Sequence, residues 1–339
     1  MQALGRITSA MKAYEGAWEQ QLADWPAESK AQCEAALGDF RQDIASFERG
    51  LACLNRDPLL ARAFRAANRV FSAVSADREI YTWRLFQVVY QVIHVASLRA
   101  REQQDDDLLV ELDTADVLWF PTGGGKTEAY LGLIIVALFY DRLRGKRRGL
   151  TAMLRFPLRM LSGQQLQRLL IAVAGAERYR KQMLADGEAV DGDPFALGYW
   201  AGSGNSPNSL TAPWADAPFE HIKGWVKHVK NAPDQGDDKR IITVCPDPAC
   251  KGKVVLKPDA KAVRLRHVCT QCGEDVPVFI TDDEVYRYLP SVVVSTVDKL
   301  AHVARAHQFV NILAGPAYRC PDHGYFTWHE PGDERDASG

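Results

Sequence analysis

The chain has 339 residues, of which 47% are apolar and 25% charged, and its formal net charge is −2. That length allows about two domains of roughly 150 residues each, and the composition is that of a packed protein, which excludes a disordered or fibrous chain. The near-neutral balance also excludes a global basic field, so any contact with nucleic acid has to rest on local patches.

Residues 1–105 read as helical. Apolar residues recur at spacings of three and four, as in FERGLACLNRDPLLARAFRAANRVFSAV, and glycine is scarce. Pro58, after the Asn55–Asp57 turn, suits the first position of a helix. The stretch TWRLFQVVYQVIHVASLRA predicts another helix, and the acidic EQQDDDLL a surface linker. The opening residues hold no apolar h-region, so no secretory signal is expected. The longest apolar run, YLGLIIVALFY (130–140), is far short of the roughly 20 residues that cross a bilayer and reads as a buried helix.

From Ala115 the pattern alternates. ADVLWF predicts a strand, PTGGGKT a loop, EAYLGLIIVALFYDRLR a helix, GLTAMLRF a strand and RMLSGQQLQRLLIAVAGAERYRKQML a helix. SVVVST (291–296) returns as a buried strand. Strands alternating with helices imply an α/β fold with a parallel sheet covered on both faces. The domains expected are a helical region at 1–105 and an α/β domain at 106–339. The second is interrupted by an insertion at 201–280, rich at first in Gly, Asn, Ser, Pro and Asp.

LWFPTGGGKTEAY (118–130) carries the chemistry. Successive glycines let backbone N–H groups converge on phosphate oxygens where a Cβ would obstruct, and a following helix adds the positive end of its dipole. Thr122, Gly123, Gly124, Gly125, Lys126 and Thr127 are the candidate ATP-binding residues. Lys126 is placed to reach the β- and γ-phosphates and Thr127 to ligate Mg2+, the roles that make these two the catalytic candidates. The first glycine position of G-x-x-x-x-G-K-[ST] is Phe120, which argues against a GTPase-type loop.

Five of the seven cysteines lie beyond residue 240. Without a secretion signal, this points to a reducing cytoplasm and a metal site, not to disulfides. Cys245 and Cys250 are separated by four residues, Cys269 and Cys272 by two, with eighteen between the pairs. Two knuckles across a hairpin at 241–276 would hold zinc in a structural ribbon. His267 is expected outside the ligand set. Cys320 and His323 read either as half of a second knuckle or as a free cysteine beside a surface histidine. RLRGKRRG (142–149) is the densest basic run and reads as a solvated face.

Other segments resemble motifs of superfamily-two helicases. WRLFQ resembles their adenine-reading motif, with Gln87 at the adenine edge 39 residues before Lys126. FPLRMLSGQQ resembles motif Ia, which implies that Arg159 and Gln164 contact a nucleic-acid backbone. VVVSTVDKLA resembles a later strand-plus-threonine motif, in which Thr296 would hold a phosphate. The phosphate loop with its Glu-Ala-Tyr tail, LRMLSGQQLQR, LPSVVVSTVDKLA and CPDHGYF together resemble the DrmA family, the helicase-like ATPases of the bacterial antiphage system DISARM. The resemblance covers residues 60–325. It implies a RecA-like parallel sheet with flanking helices, ATP-driven action on DNA through phosphates, and a DrmB-like partner protein.

Such an ATPase needs an apolar strand ending in Asp-Glu to aim magnesium and water. VPVFITDDEVYRY supplies Asp282, Asp283 and Glu284, but it precedes VVVST where the superfamily's acidic motif follows that strand. A solvated turn or helix cap is the favoured reading, with Asp283 and Glu284 as a catalytic pair the rival. The acidic partner and the second RecA-like domain are therefore expected beyond residue 339, leaving this chain nearly inactive by itself. The alternative function is a zinc-stabilised interaction module for nucleic acid or protein that binds ATP without hydrolysing it.

Overall fold

The apolar spacing of the first hundred residues resolves into four helices: α1 (Gln2–Leu22), α2 (Ala27–Arg56), α3 (Pro58–Val74) and α4 (Leu85–Gln103). The structure is a computed structural model and describes residues 2–22, 24–75, 82–103, 106–119, 125–156, 163–201, 240–259, 261–300, 309–315 and 318–326. The chain divides into two units, residues 1–68 with 82–140 and residues 69–81 with 141–339.

In the first unit α2 packs on both α1 and α4, burying Leu37, Ile44, Phe47 and Leu54 of α2 and Val92, Val95 and Ala96 of α4. The boundary between α2 and α3 is set locally. Asp57 caps α3, its Oδ1 accepting the N–H groups of Leu59 at 2.9 Å and Leu60 at 3.0 Å, and Pro58 takes the first helical position. The other carboxylate oxygen of Asp57 accepts the buried hydroxyl of Tyr140 at 2.6 Å. A 3-10 helix (Asp106–Leu112) follows α4. The long helix α5 (Lys126–Leu143) is apolar around most of its circumference, and Leu131 and all residues from Ile134 to Arg142 are buried.

The second unit holds a four-stranded sheet in the order β1 (Ala152–Phe156), β7 (Val292–Thr296), β2 (Leu197–Trp200), β6 (Val278–Phe279), with every pairing parallel. All five residues of β7 and all four of β2 are buried, as expected for central parallel strands covered on both faces. The helix α6 (Gly163–Ala185) connects β1 to β2, and α7 (Asp282–Tyr288) connects β6 to β7. Trp200 stacks on Phe309 (5.3 Å between centroids) and meets Tyr286 edge-on at 6.2 Å, in a cluster with Phe279, Val285 and Val293. The remaining elements are the hairpin β3 (Val254–Asp259) and β4 (Arg264–Cys269) with short β5 (Asp275–Val276), the short helices α8 (Val297–Leu300) and α9 (Val310–Ala314), and the hairpin β8 (Tyr318–Cys320)–β9 (Gly324–Phe326).

One expected strand is corrected. Residues 115–119 have no regular structure, and Val117 and Trp119 are 85% and 91% exposed. A strand is stabilised by cross-strand neighbours far more than by intrinsic preference, and among the described residues this segment pairs with no strand. No described helix is long and apolar enough to cross a membrane.

Candidate phosphate loop and metal centre

Thr122, Gly123 and Gly124 lie outside the described residues, so the loop is seen from its exit. Gly125 has φ +87°, a conformation that β-carbon crowding makes costly for other residues. Lys126 immediately opens α5, an 18-residue helix with Glu128 in its first turn. The N–H groups of that turn have no partner within the helix and form a natural seat for an anion. The side chain of Thr127 is hydrogen-bonded to Tyr130, one turn along, and burial pushes the Tyr130 phenol above its ordinary pKa.

Gln87 belongs to the same place. It is 4% exposed, and its amide nitrogen donates to the Gly125 carbonyl at 2.8 Å. Its amide oxygen accepts the backbone N–H of Arg84 at 2.9 Å, which caps the start of α4. The side chain thus ties the exit of the loop to the head of α4. These bonds use one of the two donor hydrogens and one of the two acceptor lone pairs of the amide. The sequence motif placed Gln87 at the adenine edge; its bond to the Gly125 carbonyl had no signal in the sequence.

The other predicted residues are dispersed. Arg159 lies outside the described residues, and Gln164 sits in the first turn of α6. Thr296 ends β7 and is buried. Glu284 is the third residue of α7 and forms a capping box with Thr281. It is fully buried, and its carboxylate accepts the N–H groups of Leu265 (3.2 Å), Ile280 (3.1 Å) and Thr281 (3.2 Å). Arg264 stands 3.6 Å from it. Burial raises the Glu284 pKa despite these partners. The carboxylate is occupied with holding α7 and β4 in place, the helix-cap reading of this acidic run. Asp282 pairs with Lys299 at 2.5 Å, and burial pushes its carboxyl up to about 6 against the pull of that ammonium.

The four cysteines of the insertion converge. The sulfurs of Cys245, Cys250, Cys269 and Cys272 all lie within 4.8 Å of one another, and none is in a disulfide. Cys245 and Cys272 are 3.8 Å apart and Cys250 and Cys269 3.6 Å. A tetrahedral zinc with bonds of about 2.3 Å sets its sulfurs about 3.8 Å apart, so the donor set fits that ion. The two knuckles are held by the β3–β4 register, in which Val254 pairs with Cys269, and by the Cys245 N–H to Gly252 carbonyl bond of 2.8 Å. A hydrogen bond from the Cys272 N–H is the main cause that holds Cys269 down to about 6, whereas burial pushes the Cys245 thiol up and Cys272 is also raised. His267 is outside the set: it is buried, and its Nε2 accepts the Ile241 N–H at 3.2 Å.

Sequence reasoning missed the residue that anchors this centre. Arg178 of α6 donates to the Pro246 carbonyl at 3.1 Å, beside Cys245, and to Glu274 at 3.4 Å. Glu274 in turn lies 3.7 Å from the Cys245 sulfur.

No protein-family model matches the chain. Over 243 residues it is 31% identical to the DISARM protein DrmA of Bacillus paralicheniformis, an alignment covering 67% of this chain and 20% of that protein. The chain spans about one fifth of the length of the curated relative it matches, and it is a distant homologue of that DISARM protein.

Proposed function

We propose that this chain is the ATP-binding part of a DNA helicase-like or translocase-like ATPase of the RecA-like, superfamily-two type, working in antiphage defence with a DrmB-like partner. The observation that carries this reading is the junction at Gly125 and Lys126. A glycine in the left-handed region, held at its carbonyl by Gln87, hands the chain to a long helix that begins with the lysine. Bound there, ATP would place its phosphates on the first-turn N–H groups and Lys126, with Mg2+ at Thr127. The distant homology to a DISARM protein supports the defence setting. DNA would be met through its phosphates, which position a strand without reading sequence.

Calorimetric titration of ATP and magnesium into the protein tests the reading. Lys126→Ala should weaken binding by about 2 to 5 kcal/mol, the cost of removing one member of a buried charge pair. Equal affinity in the variant and the parent would sink the assignment.

The second reading, an ATP-binding module that does not hydrolyse, is favoured by one observation. Glu284, the only described acid in an Asp-Glu pair after an apolar strand, spends its oxygens on backbone N–H groups. DNA-stimulated turnover of a full-length protein, measured beside that of residues 1–339, separates the two.

A further inference from the structure

Residues 251–272 run from the first cysteine knuckle through the second. They carry six Lys or Arg side chains against a single acid, Asp259, in a chain whose net charge is −2. The hairpin sorts them by face. Val254 and Leu256 of β3 are buried, whereas Lys253 and Lys257, on the alternate positions, are exposed. Lys257 stands directly opposite Arg266 of β4, and like charges so placed destabilise a ladder. Arg266 is flanked by Asp275 at 2.9 Å and Asp259 at 3.8 Å, but among the described residues no acid pairs with Lys253 or Lys257. Two other cations are spent on the scaffold. Lys261 pairs with Asp322 at 2.8 Å, and Arg264 is turned toward Glu284 and the rings of Phe279 and Tyr288.

We infer that the outer face of this hairpin, through Lys253 and Lys257, is a surface for the phosphate backbone of DNA; the inference rests on the DNA-acting function proposed above and gives that contact a place. The two lysines give the fold no ion pair, and Lys257 repels Arg266, so an anionic partner removes a cost that the hairpin bears by itself. A strand rises about 3.3 Å per residue, which sets positions 253 and 257 about 13 Å apart along the ribbon. Each strand of a duplex carries a phosphate about every 3.4 Å of rise, so both ammonium groups find phosphates along one edge of the helix. The backbone beneath them is fixed. The Lys253 carbonyl accepts the N–H of Thr270 at 2.9 Å and its hydroxyl at 3.0 Å, and Lys257 lies within the β3–β4 ladder. Such contacts hold a nucleic acid without reading its sequence.

Filter binding of a DNA duplex across a salt series, with the parent protein and with Lys253→Gln/Lys257→Gln, decides the matter. Each lost phosphate contact lowers the slope of log K against log salt by about 0.9, so the double variant should show a slope smaller by about 1.8. Lys257→Gln by itself should lose half as much, and the loss should be equal on two unrelated sequences. Replacing two cations of the first unit, Lys12→Gln/Lys30→Gln, removes the same net charge and should leave the slope unchanged. A parent that binds DNA with a slope the double variant retains overturns the inference and leaves the DNA reading standing. An equal fall in the first-unit control also overturns it, since binding would then follow net charge. A parent that binds no DNA at any salt removes both. Binding to polyglutamate that is lost in the double variant, with DNA binding untouched, would refute the inference by assigning the face to an acidic protein.

Discussion

At the scale of single residues, Gln87 and Glu284 show how much a buried polar group is defined by what it touches. Gln87→Ala removes the bonds to the Gly125 carbonyl and the Arg84 N–H, both of them partly buried. A lost hydrogen bond costs about 0.5–1.5 kcal/mol, so a stability loss of about 1–3 kcal/mol is predicted, with weaker ATP binding because the loop exit is freed. Urea denaturation and nucleotide titration check the two effects separately. Glu284→Ala strands the N–H groups of Leu265, Ile280 and Thr281 together. At about 1–3 kcal/mol for each unsatisfied buried group, with partial relaxation, a loss of about 3–5 kcal/mol is expected. Glu284→Gln keeps an acceptor oxygen and should cost less, and neither variant should alter ATP affinity. A Glu284→Gln protein as stable as the parent but devoid of turnover would mean that the carboxylate is a catalyst and not a cap.

At the scale of elements, a zinc ion held by the four cysteines would make the stability of the ribbon depend on something other than apolar packing. Its strands are short and its thiols sit close together, and a structural zinc site typically supplies folding energy of about 10–16 kcal/mol in small peptides. Removing zinc with a strong chelator, or Cys269→Ser, should therefore open residues 240–276 to protease. The helices of the first unit should keep their circular dichroism, since their cores of Leu37, Phe47, Leu54 and Val92 owe nothing to the metal. Cleavage spread evenly along the chain would show instead that the ribbon is integral to the whole fold. Arg178→Ala removes the bridge from α6 to the Pro246 carbonyl and Glu274. It should loosen zinc by about 10- to 100-fold, the range seen when the partners of metal ligands are lost, as read by competition with a chromogenic chelator.

At the scale of the molecule, the net charge of −2 means that DNA binding has to come from a few cations. Affinity should fall steeply with salt, the slope of log K against log salt giving about 0.9 per phosphate contacted on duplex DNA, and it should show little sequence preference. Filter binding on two unrelated duplexes across a salt series tests this, and a flat salt response would remove DNA from the proposed function.

What could be read from the residues by themselves was whatever local chemistry dictates. The helices followed from apolar spacing, the start of α3 from Asp57 and Pro58, the buried strand β7 from an unbroken Val-Val-Val, and the cysteine centre from two knuckle spacings. Each depends on neighbours a few residues away or on a ligand geometry that permits few spacings. Tertiary structure decided the rest, because it depended on partners remote in sequence. ADVLWF has strand-like residues, yet residues 115–119 found no pairing partner and remain irregular. The acidic run at 282–284 looks the same whether it serves catalysis or capping. The capping box with Thr281 assigns Glu284 to the cap, and the N–H groups of Leu265 and Ile280, brought in by the packing of β4 and β6, are the partners no local pattern showed. Gln87 is separated from Gly125 by 38 positions, and Arg178 from Glu274 by 96, so no local pattern could have paired them. Burial makes such contacts strong, and burial is a property of the folded chain.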